Sequence, residues 1–141
     1  MTIITRKSDY AARVLLHLAS LPHGSWATAQ QIAERQSIPD QVIRHVVQRL
    51  AKANLLLTKR GKGGGIQIAR LPAEISLKDV VEAMQGPLTL SSCASDPEAC
   101  TLTPQCPLVD VWERCERALA DLLAGETLQE LAKRGEQLAA S

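Results

Sequence analysis

Apolar residues recur every three or four positions through the first third of the chain. This spacing runs through residues 8–21, 29–36 and 40–53 and is typical of amphipathic helices that bury one face. Ser8 and Thr28 are residue types that cap helix starts, and "PHGSW" and "SIPD" interrupt the pattern between the segments. We therefore predict three successive helices. In the third of them, the residues expected to face the core are Val42, Val46, Val47 and Leu50.

The segment "LLLTKRGKGGGIQIAR" follows and has no helical spacing. Two apolar runs, residues 55–59 and 65–70, flank glycines that permit a tight turn and a close approach to another backbone. Lys59, Arg60 and Lys62 lie around that turn. The segment fails as a phosphate-binding loop, because no Gly-Lys-Ser/Thr ends it and no helix follows. We predict a two-stranded hairpin with a positively charged tip.

Three further helices are predicted in the second half of the chain, over residues 77–84, 108–124 and 128–138. Ser76 is placed to cap the first of them. The middle helix has one apolar stripe opposite an acidic face, which favours pairing with a second helix, most simply in a symmetric dimer. The stripe consists of Leu108, Val111, Trp112, Cys115, Leu119, Leu122 and Leu123. Within it, Cys115 is expected to be buried as a small hydrophobic residue.

Composition indicates an aliphatic core, because 45% of the 141 residues are hydrophobic while Phe is absent and Tyr occurs once. This length is typical of one domain. The net charge is only +1, but Asp40 is the sole acidic residue of segment 40–70, which carries seven basic ones. Those seven are Arg44, Arg49, Lys52, Lys59, Arg60, Lys62 and Arg70. Such a segment favours a face that binds a polyanion, and the alternative is a solvated charged surface.

The second and third predicted helices, joined by a tight turn, have the outline of a helix-turn-helix DNA-binding motif. Side chains on the exposed face of the third helix are of types that contact phosphates or base edges in a major groove. That face would present Gln41, Arg44, His45, Gln48 and Arg49. The candidate DNA contacts are Gln41 and Arg44 for base edges, Thr28 and His45 for phosphates, and Arg60 and Lys62 on the hairpin.

No apolar run approaches the roughly 20 residues of a membrane span, and the start "MTIITRKSDY" lacks the hydrophobic core of a signal peptide. We therefore expect a cytoplasmic protein. Thiols in that compartment stay reduced, which favours metal binding or redox chemistry over a structural disulfide.

Three of the four cysteines lie in "CASDPEACTLTPQC", where Cys93, Cys100 and Cys106 are separated by six and then five residues. Thiolates on an irregular loop suit an iron-sulfur cluster, because one helix cannot aim sulfurs so spaced at one point. Zinc is the main competitor, although its sites usually include a closer pair of ligands. A redox-sensing pair of thiols is a third possibility. The wide spacing favours the cluster and leaves one ligand position for another group.

The chain resembles the Rrf-type bacterial transcription regulators, a family that includes IscR, NsrR and RirA. The resemblance runs through "TRKSDYAARVLLHLA", "IAERQSIPDQVIRHVVQRLAKANLL" and "RGKGGGIQIAR", and through the three-cysteine loop followed by a helix with Trp112. It implies a homodimeric winged-helix protein that binds double-stranded DNA at a palindromic operator, with the long helix pairing the subunits. It also implies that the cysteines hold an iron-sulfur cluster, of the 2Fe-2S or 4Fe-4S type.

The sequence departs from one branch of this family and fits another. In the IscR type a histidine three residues after the last cysteine is the fourth ligand, and here that position is Val109. The NsrR type uses a carboxylate near the start of the first helix, donated by the other subunit, and "KSDYAAR" offers Asp9 at the matching place. Asp9 has an alternative role as a charge that stabilises the helix start. His17, on the same helix, is interpreted as a residue at the edge of the core.

We therefore predict a mainly α fold with a winged helix-turn-helix DNA-binding domain over residues 1–84. A cluster-binding loop is expected over 85–106, and a dimerisation helix and a C-terminal helix over 107–141. The predicted function is a transcription repressor that senses nitric oxide, iron or iron-sulfur status. The alternative is a cluster-free or zinc- or thiol-based redox-sensing regulator. An enzyme is disfavoured, since the sequence has no nucleophile-base pair and no dinucleotide fingerprint.

Overall fold

A computed structural model describes residues 3–62 and 64–141 of the chain. Its elements follow one another in the order α1 (Arg6–Ala19), α2 (Ala29–Gln36), α3 (Asp40–Lys52), β1 (Leu56–Lys59), β2 (Gly65–Ile68), α4 (Leu77–Gln85), α5 (Ser92–Ser95), α6 (Pro107–Ala124) and α7 (Leu128–Ala140). Short 3₁₀ turns lie at Pro72–Glu74, Pro97–Ala99 and Thr103–Gln105. The mainly α architecture with a two-stranded hairpin confirms the predicted winged-helix fold class.

Local capping explains where the helices begin. The backbone N–H of Gln31 donates to Thr28 Oγ1 at 3.1 Å, and the Gln31 side chain accepts from the Thr28 N–H at 3.1 Å. This reciprocal pair confirms the predicted start of α2, and Ser76 caps α4 in the same way. The first helix differs from the prediction, because Thr5 rather than Ser8 is its cap. Ser8 lies one turn further on, fully buried, and its backbone N–H donates to Thr5 Oγ1.

The core is formed where α1 packs against α3 and α4, with α2, the hairpin and α7 closing its edges. Its largest fully buried apolar side chains are Leu15, Ile32, Leu50, Ile75, Leu128, Val14, Val46 and Val80. On α3, the predicted core residues Val46 and Leu50 are buried, whereas Val42 and Val47 are only half-buried. Ile43, which was not predicted, is the third buried residue of this helix.

The β1–β2 hairpin, here called the wing, is docked onto the connection between α1 and α2. Its antiparallel strands pair Leu56 with Ile68 and Lys59 with Gly65. Ile66 of β2 also pairs with Ala27, with N–H···O bonds of 3.0 and 2.7 Å in the two directions. Gly65 has a φ of +141°, and a Cβ atom there would overlap the carbonyl oxygen of Ala27. The close approach of these two backbones therefore requires glycine at this position.

The C-terminal half leaves the core and returns to it. No residue of the 18-residue helix α6 is buried, although α6 packs against α4. The chain then turns at Gly125, and α7 packs against α1. The Leu77 N–H donates to the Glu126 carbonyl at 2.8 Å and the Leu128 N–H to the Ile75 carbonyl at 2.9 Å. Within residues 3–62 and 64–141, none of the helices combines the length and the hydrophobicity needed to cross a bilayer.

Candidate DNA interface and cysteine segment

The predicted contact residues of α3 lie on its solvent side. Gln41, Arg44 and His45 are all exposed, on the face opposite the buried Ile43 and Val46. This division follows from the helical period, because residues one or two positions from a buried residue project to other sides of the helix. The helix therefore presents polar donors and acceptors of the kind that a DNA groove accepts.

Arg49 is exposed as well, but its guanidinium is also bonded to another helix. Its Nη2 donates to the Met84 carbonyl at 3.0 Å, at the C-terminal end of α4. The side chain is exposed, as the sequence predicted, and it also ties α3 to α4. The two residues are 35 positions apart, so the helical pattern of α3 alone could not reveal the bond.

Positive charge surrounds the turn of the wing. Arg60 and Lys62 are exposed at its tip, while Gly63 lies outside the described residues. Lys59, at the end of β1, places its Nζ 5.9 Å from the centroid of the Trp26 ring. Thr28, proposed for a phosphate contact, uses its Oγ1 as an acceptor in the cap of α2. A hydroxyl that accepts one bond still carries a proton that it can donate to a phosphate.

The three clustered cysteines occupy the connection between α4 and α6. Cys93 is half-buried in α5, with its Sγ 3.2 Å from the Oγ of Ser91, and Cys100 is exposed between two 3₁₀ turns. Cys106 is half-buried and is the N-cap residue of α6. All three are free thiols. The segment of residues 93–106, called the cysteine segment, therefore consists of the end of the short helix α5 and two 3₁₀ turns, where the sequence predicted an irregular loop.

The donor chemistry of this segment fits a thiolate-bound cluster or zinc, but the thiols are not assembled into a site within one chain. Across residues 3–62 and 64–141, no three His, Cys, Asp or Glu side chains are grouped closely enough to hold a metal ion. Asp9, the candidate fourth ligand, is exposed on α1 and forms a 3.0 Å ion pair with Arg13. The observed position of Asp9 is compatible with its alternative role as a charge in the first turn of the helix.

Two other predicted residues have different outcomes. Cys115 was predicted to be buried, and it is exposed on α6. The reason is that the apolar stripe of α6 does not face the chain's own core, so that burial of Cys115 would require a second molecule. His17 is half-buried beside α7, as predicted for a residue at the core edge. Burial, with a smaller contribution from the positive charge of Arg35, lowers the pKa of His17.

Sequence reasoning missed a polar junction at the end of α4. Gln85 Oε1 accepts from Ser8 Oγ at 2.6 Å and from the Thr5 N–H at 3.0 Å. Gln85 Nε2 donates to the Ile3 carbonyl at 2.9 Å. The side-chain amide of Gln85 thus joins the start of α1, which carries Asp9, to the end of α4. The connection that contains the three cysteines begins directly after Gln85. The one signal of this junction in the sequence was Ser8, a polar residue at a core position of α1, and it was interpreted as the cap of that helix.

A helix-turn-helix with a polar exposed second helix and a basic wing defines a DNA-binding transcription regulator. Residues 4–134 match the Rrf2 family, which is described as an iron-dependent transcriptional regulator. The chain belongs to the Rrf2 family, and the resemblance seen in the sequence is confirmed. Its members are transcription regulators rather than enzymes.

Solved structures of bacterial regulators are similar along nearly the whole chain. CymR, the global cysteine regulator of B. subtilis, is 24% identical, with a TM-score of 0.77 over 95% of this chain and 98% of that one. Staphylococcus aureus CymR is 28% identical, with a TM-score of 0.72 over 91% and 96% of the two chains. T. potens IscR is 24% identical, with a TM-score of 0.76 over 96% and 89%. The two proteins at 24% identity support the fold alone.

Proposed function

We propose that this chain acts in the cytoplasm as a homodimeric repressor that binds palindromic DNA and responds to nitric oxide, iron or iron-sulfur status. The observation that carries the proposal is the position of the cysteine segment between α4 and α6. The first of these helices is bonded to α3 through Arg49 and to α1 through Gln85. A change at the cysteines therefore lies one helix away from the DNA-facing residues.

The proposed DNA contacts follow from exposure and chemistry. Arg44 and Gln41 read base edges, because guanidinium and amide groups form paired hydrogen bonds with purines in the major groove. His45 and Thr28 contact phosphates beside them. Arg60 and Lys62, on the wing, add positive charge near the phosphate backbone.

Pairing of two chains through α6 explains why this helix carries an apolar stripe without burying it. Leu108 is 53% exposed and Leu122 is 64% exposed. Covering such side chains with the same surface of a second chain removes apolar area from water. In this arrangement residues 1–84 bind DNA, 85–106 sense the signal and 107–141 include the pairing helix. Within residues 107–141, α7 also packs against α1 of its own chain.

The residues that would hold an iron-sulfur cluster are Cys93, Cys100 and Cys106, with Asp9 of a second subunit as fourth ligand. When bound, such a cluster supplies iron sites that react with nitric oxide and that are lost when iron is scarce. A cluster bound by Cys106 would constrain the start of α6, because Cys106 is the N-cap of that helix. The Leu90 N–H also donates to Glu116 Oε1 at 2.5 Å, so the start of the connection is bonded to the same helix. The cysteine segment is therefore able to restrain α6 relative to α4.

Anaerobic purification tests the cluster. The expected result is a brown protein with visible absorption and with iron and sulfide in stoichiometric amounts, and a Cys100→Ala variant should lose both. Asp9→Ala should shorten the cluster lifetime, whereas Asp40→Ala, which removes another exposed carboxylate from the first turn of a helix, should not. A gel-shift series with apo protein, holo protein and added nitric oxide then shows whether the cluster alters DNA binding. Iron-free protein that binds and releases its operator normally would exclude the cluster mechanism.

The second candidate function is a DNA-binding regulator without a cluster, which senses redox state through zinc-bound or free thiols. One observation favours it, namely that the thiols of the cysteine segment are free and that Cys100 is exposed, where an oxidant can reach it. The oxidised form of Staphylococcus aureus CymR is also a similar structure, 28% identical with a TM-score of 0.73. Colourless protein that contains zinc, or whose DNA affinity changes when peroxide oxidises the cysteines, would favour this candidate.

A further inference from the structure

The connection between α1 and α2 is bonded to the wing at several points. Besides the Ala27–Ile66 pair, the Gln67 Nε2 donates to the Gly24 carbonyl at 2.5 Å. Residues 24–27 therefore follow the outer edge of β2 and continue directly into Thr28, the cap of α2. The wing and the helix-turn-helix are thus held as one surface through this connection.

Trp26 is the large aromatic side chain of that connection, and it remains 39% exposed. The Nζ of Lys59 lies 5.9 Å from the centroid of its ring, within the range of a cation-π interaction. Lys59 pairs with Gly65 at the end of the hairpin, next to Arg60. A lysine side chain is otherwise flexible, so a ring that holds the ammonium group restricts where its charge lies.

We propose that Trp26 is a positioning residue for DNA binding, whose ring holds the Lys59 ammonium where it neutralises a phosphate of the duplex backbone. This inference rests on the proposed DNA-binding face of α3 and the wing, and it adds a contact beside the turn of the wing. The ligand chemistry is the sequence-independent phosphodiester backbone. A phosphate contact of this kind should appear in the salt dependence of binding, because each neutralised phosphate releases counterions.

A purely structural role for Trp26 predicts a different result. The side chain is partly exposed and is not among the buried core residues. If Trp26 positions Lys59, removing the Trp26 side chain should therefore change thermal unfolding little but lower the salt slope of DNA binding. A residue that only stabilises the wing would change both together.

The test measures binding to a mixed-sequence duplex of about 30 base pairs, long enough for two half-sites one helical turn apart, by fluorescence anisotropy over a range of salt. Lys59→Ala should reduce the slope of log K against log salt by about one unit. Trp26→Ala should reduce affinity and slope in the same direction, and Trp26→Phe should retain most of both. Lys133→Ala, on α7, is the matched control and should leave the slope unchanged.

The decisive comparison is the double variant. If Trp26 acts through Lys59, the Trp26→Ala and Lys59→Ala pair binds no more weakly than Lys59→Ala alone. Additive losses would overturn the proposal, as would a Trp26→Ala variant with the wild-type slope. If the wild-type protein itself shows no salt-dependent binding, the proposed DNA face fails. If the wild-type protein shows salt-dependent binding, and the salt slope falls in Arg60→Ala but not in Lys59→Ala, the proposed role of Trp26 and Lys59 fails while the DNA-binding face stands.

Discussion

The hydroxyl of Ser8 donates a 2.6 Å hydrogen bond to Oε1 of Gln85, which lies 77 residues further along the chain. Ser8 is fully buried on the side of α1 that packs against α4. A buried hydroxyl without a partner destabilises a fold, so this bond fixes the start of α1 against the end of α4. Because the cysteine connection begins directly after Gln85, the bond also fixes where that connection leaves the core.

Replacing Gln85 should destabilise the protein. Gln85→Ala removes the acceptor of the buried Ser8 hydroxyl and is expected to lower the free energy of unfolding by about 1–3 kcal/mol. Urea denaturation measures the change, and Gln137→Ala, at an exposed position of α7, is the control. Ser8→Ala combined with Gln85→Ala should be less destabilising than the sum of the single changes. Equal effects of Gln85→Ala and Gln137→Ala would refute the role of the bond.

A side chain at Gly65 should disrupt the docking of the wing. Gly65→Ala would place its Cβ against the Ala27 carbonyl and impose a φ that L residues rarely adopt, so we expect a loss of more than about 1 kcal/mol. Gly135→Ala is the opposite case, because the site is helical and has open space around it. There the change should stabilise the protein by about 0.5–1 kcal/mol. Thermal unfolding followed by circular dichroism distinguishes the two, and a neutral Gly65→Ala would contradict the structure.

His17 should make stability depend on pH. Its pKa is lowered in the folded protein by burial and, to a smaller extent, by Arg35. The unfolded chain therefore binds more protons as the pH falls below about 6.5, and this share of stability is complete above that pH and is lost as the pH falls toward the folded-state pKa. His17→Gln should reduce the difference between urea unfolding at about pH 7.5 and about pH 5.5. His23→Gln, at an exposed position, is the control, and an unchanged pH dependence in His17→Gln would exclude the assignment.

Charge on the outer face of α6 should separate two paired chains. Leu122→Glu places a carboxylate in the apolar stripe and is expected to weaken dimerisation by at least about tenfold, or 1.4 kcal/mol. Leu138→Glu is matched to it, because Leu138 is 74% exposed but lies on α7. Sedimentation velocity measures both, and a monomeric wild-type protein would refute pairing through α6.

Arg44 and Arg60 should affect DNA binding in different ways. Arg44→Ala is expected to reduce discrimination between an operator selected from a random duplex pool and a scrambled duplex by about 1–3 kcal/mol. Arg60→Ala should weaken binding to both duplexes and lower the salt slope by about one unit. Anisotropy titrations at several salt concentrations measure these effects. An unchanged slope in Arg60→Ala would remove the tip of the wing from the interface.

Features formed by residues close together along the chain could be predicted from the sequence, whereas features that depend on distant residues could not. The starts of α2 and α4 were predictable because Thr28 and Ser76 form capping pairs within one helical turn. The Arg49 bond to Met84 was not, because it joins residues that only the packed core brings together. The stripe on α6 was visible in the spacing, but burial of Cys115 depends on a surface that this chain does not supply. Likewise, the spacing of the cysteines indicates metal chemistry without fixing where the sulfurs meet.

The return of the chain through α7 has a consequence for how the molecule can be divided. Leu128 fills a space beside Ile75, and both side chains are fully buried. A fragment that stopped after Gln85 would keep every proposed DNA contact yet leave a hole in its interior. Since α6 packs against α4 and leads directly into the bonds that Glu126 and Leu128 make with Leu77 and Ile75, it cannot swing away from the core as a free arm. Any shift along its axis must be absorbed at those bonds and at its contact with α4.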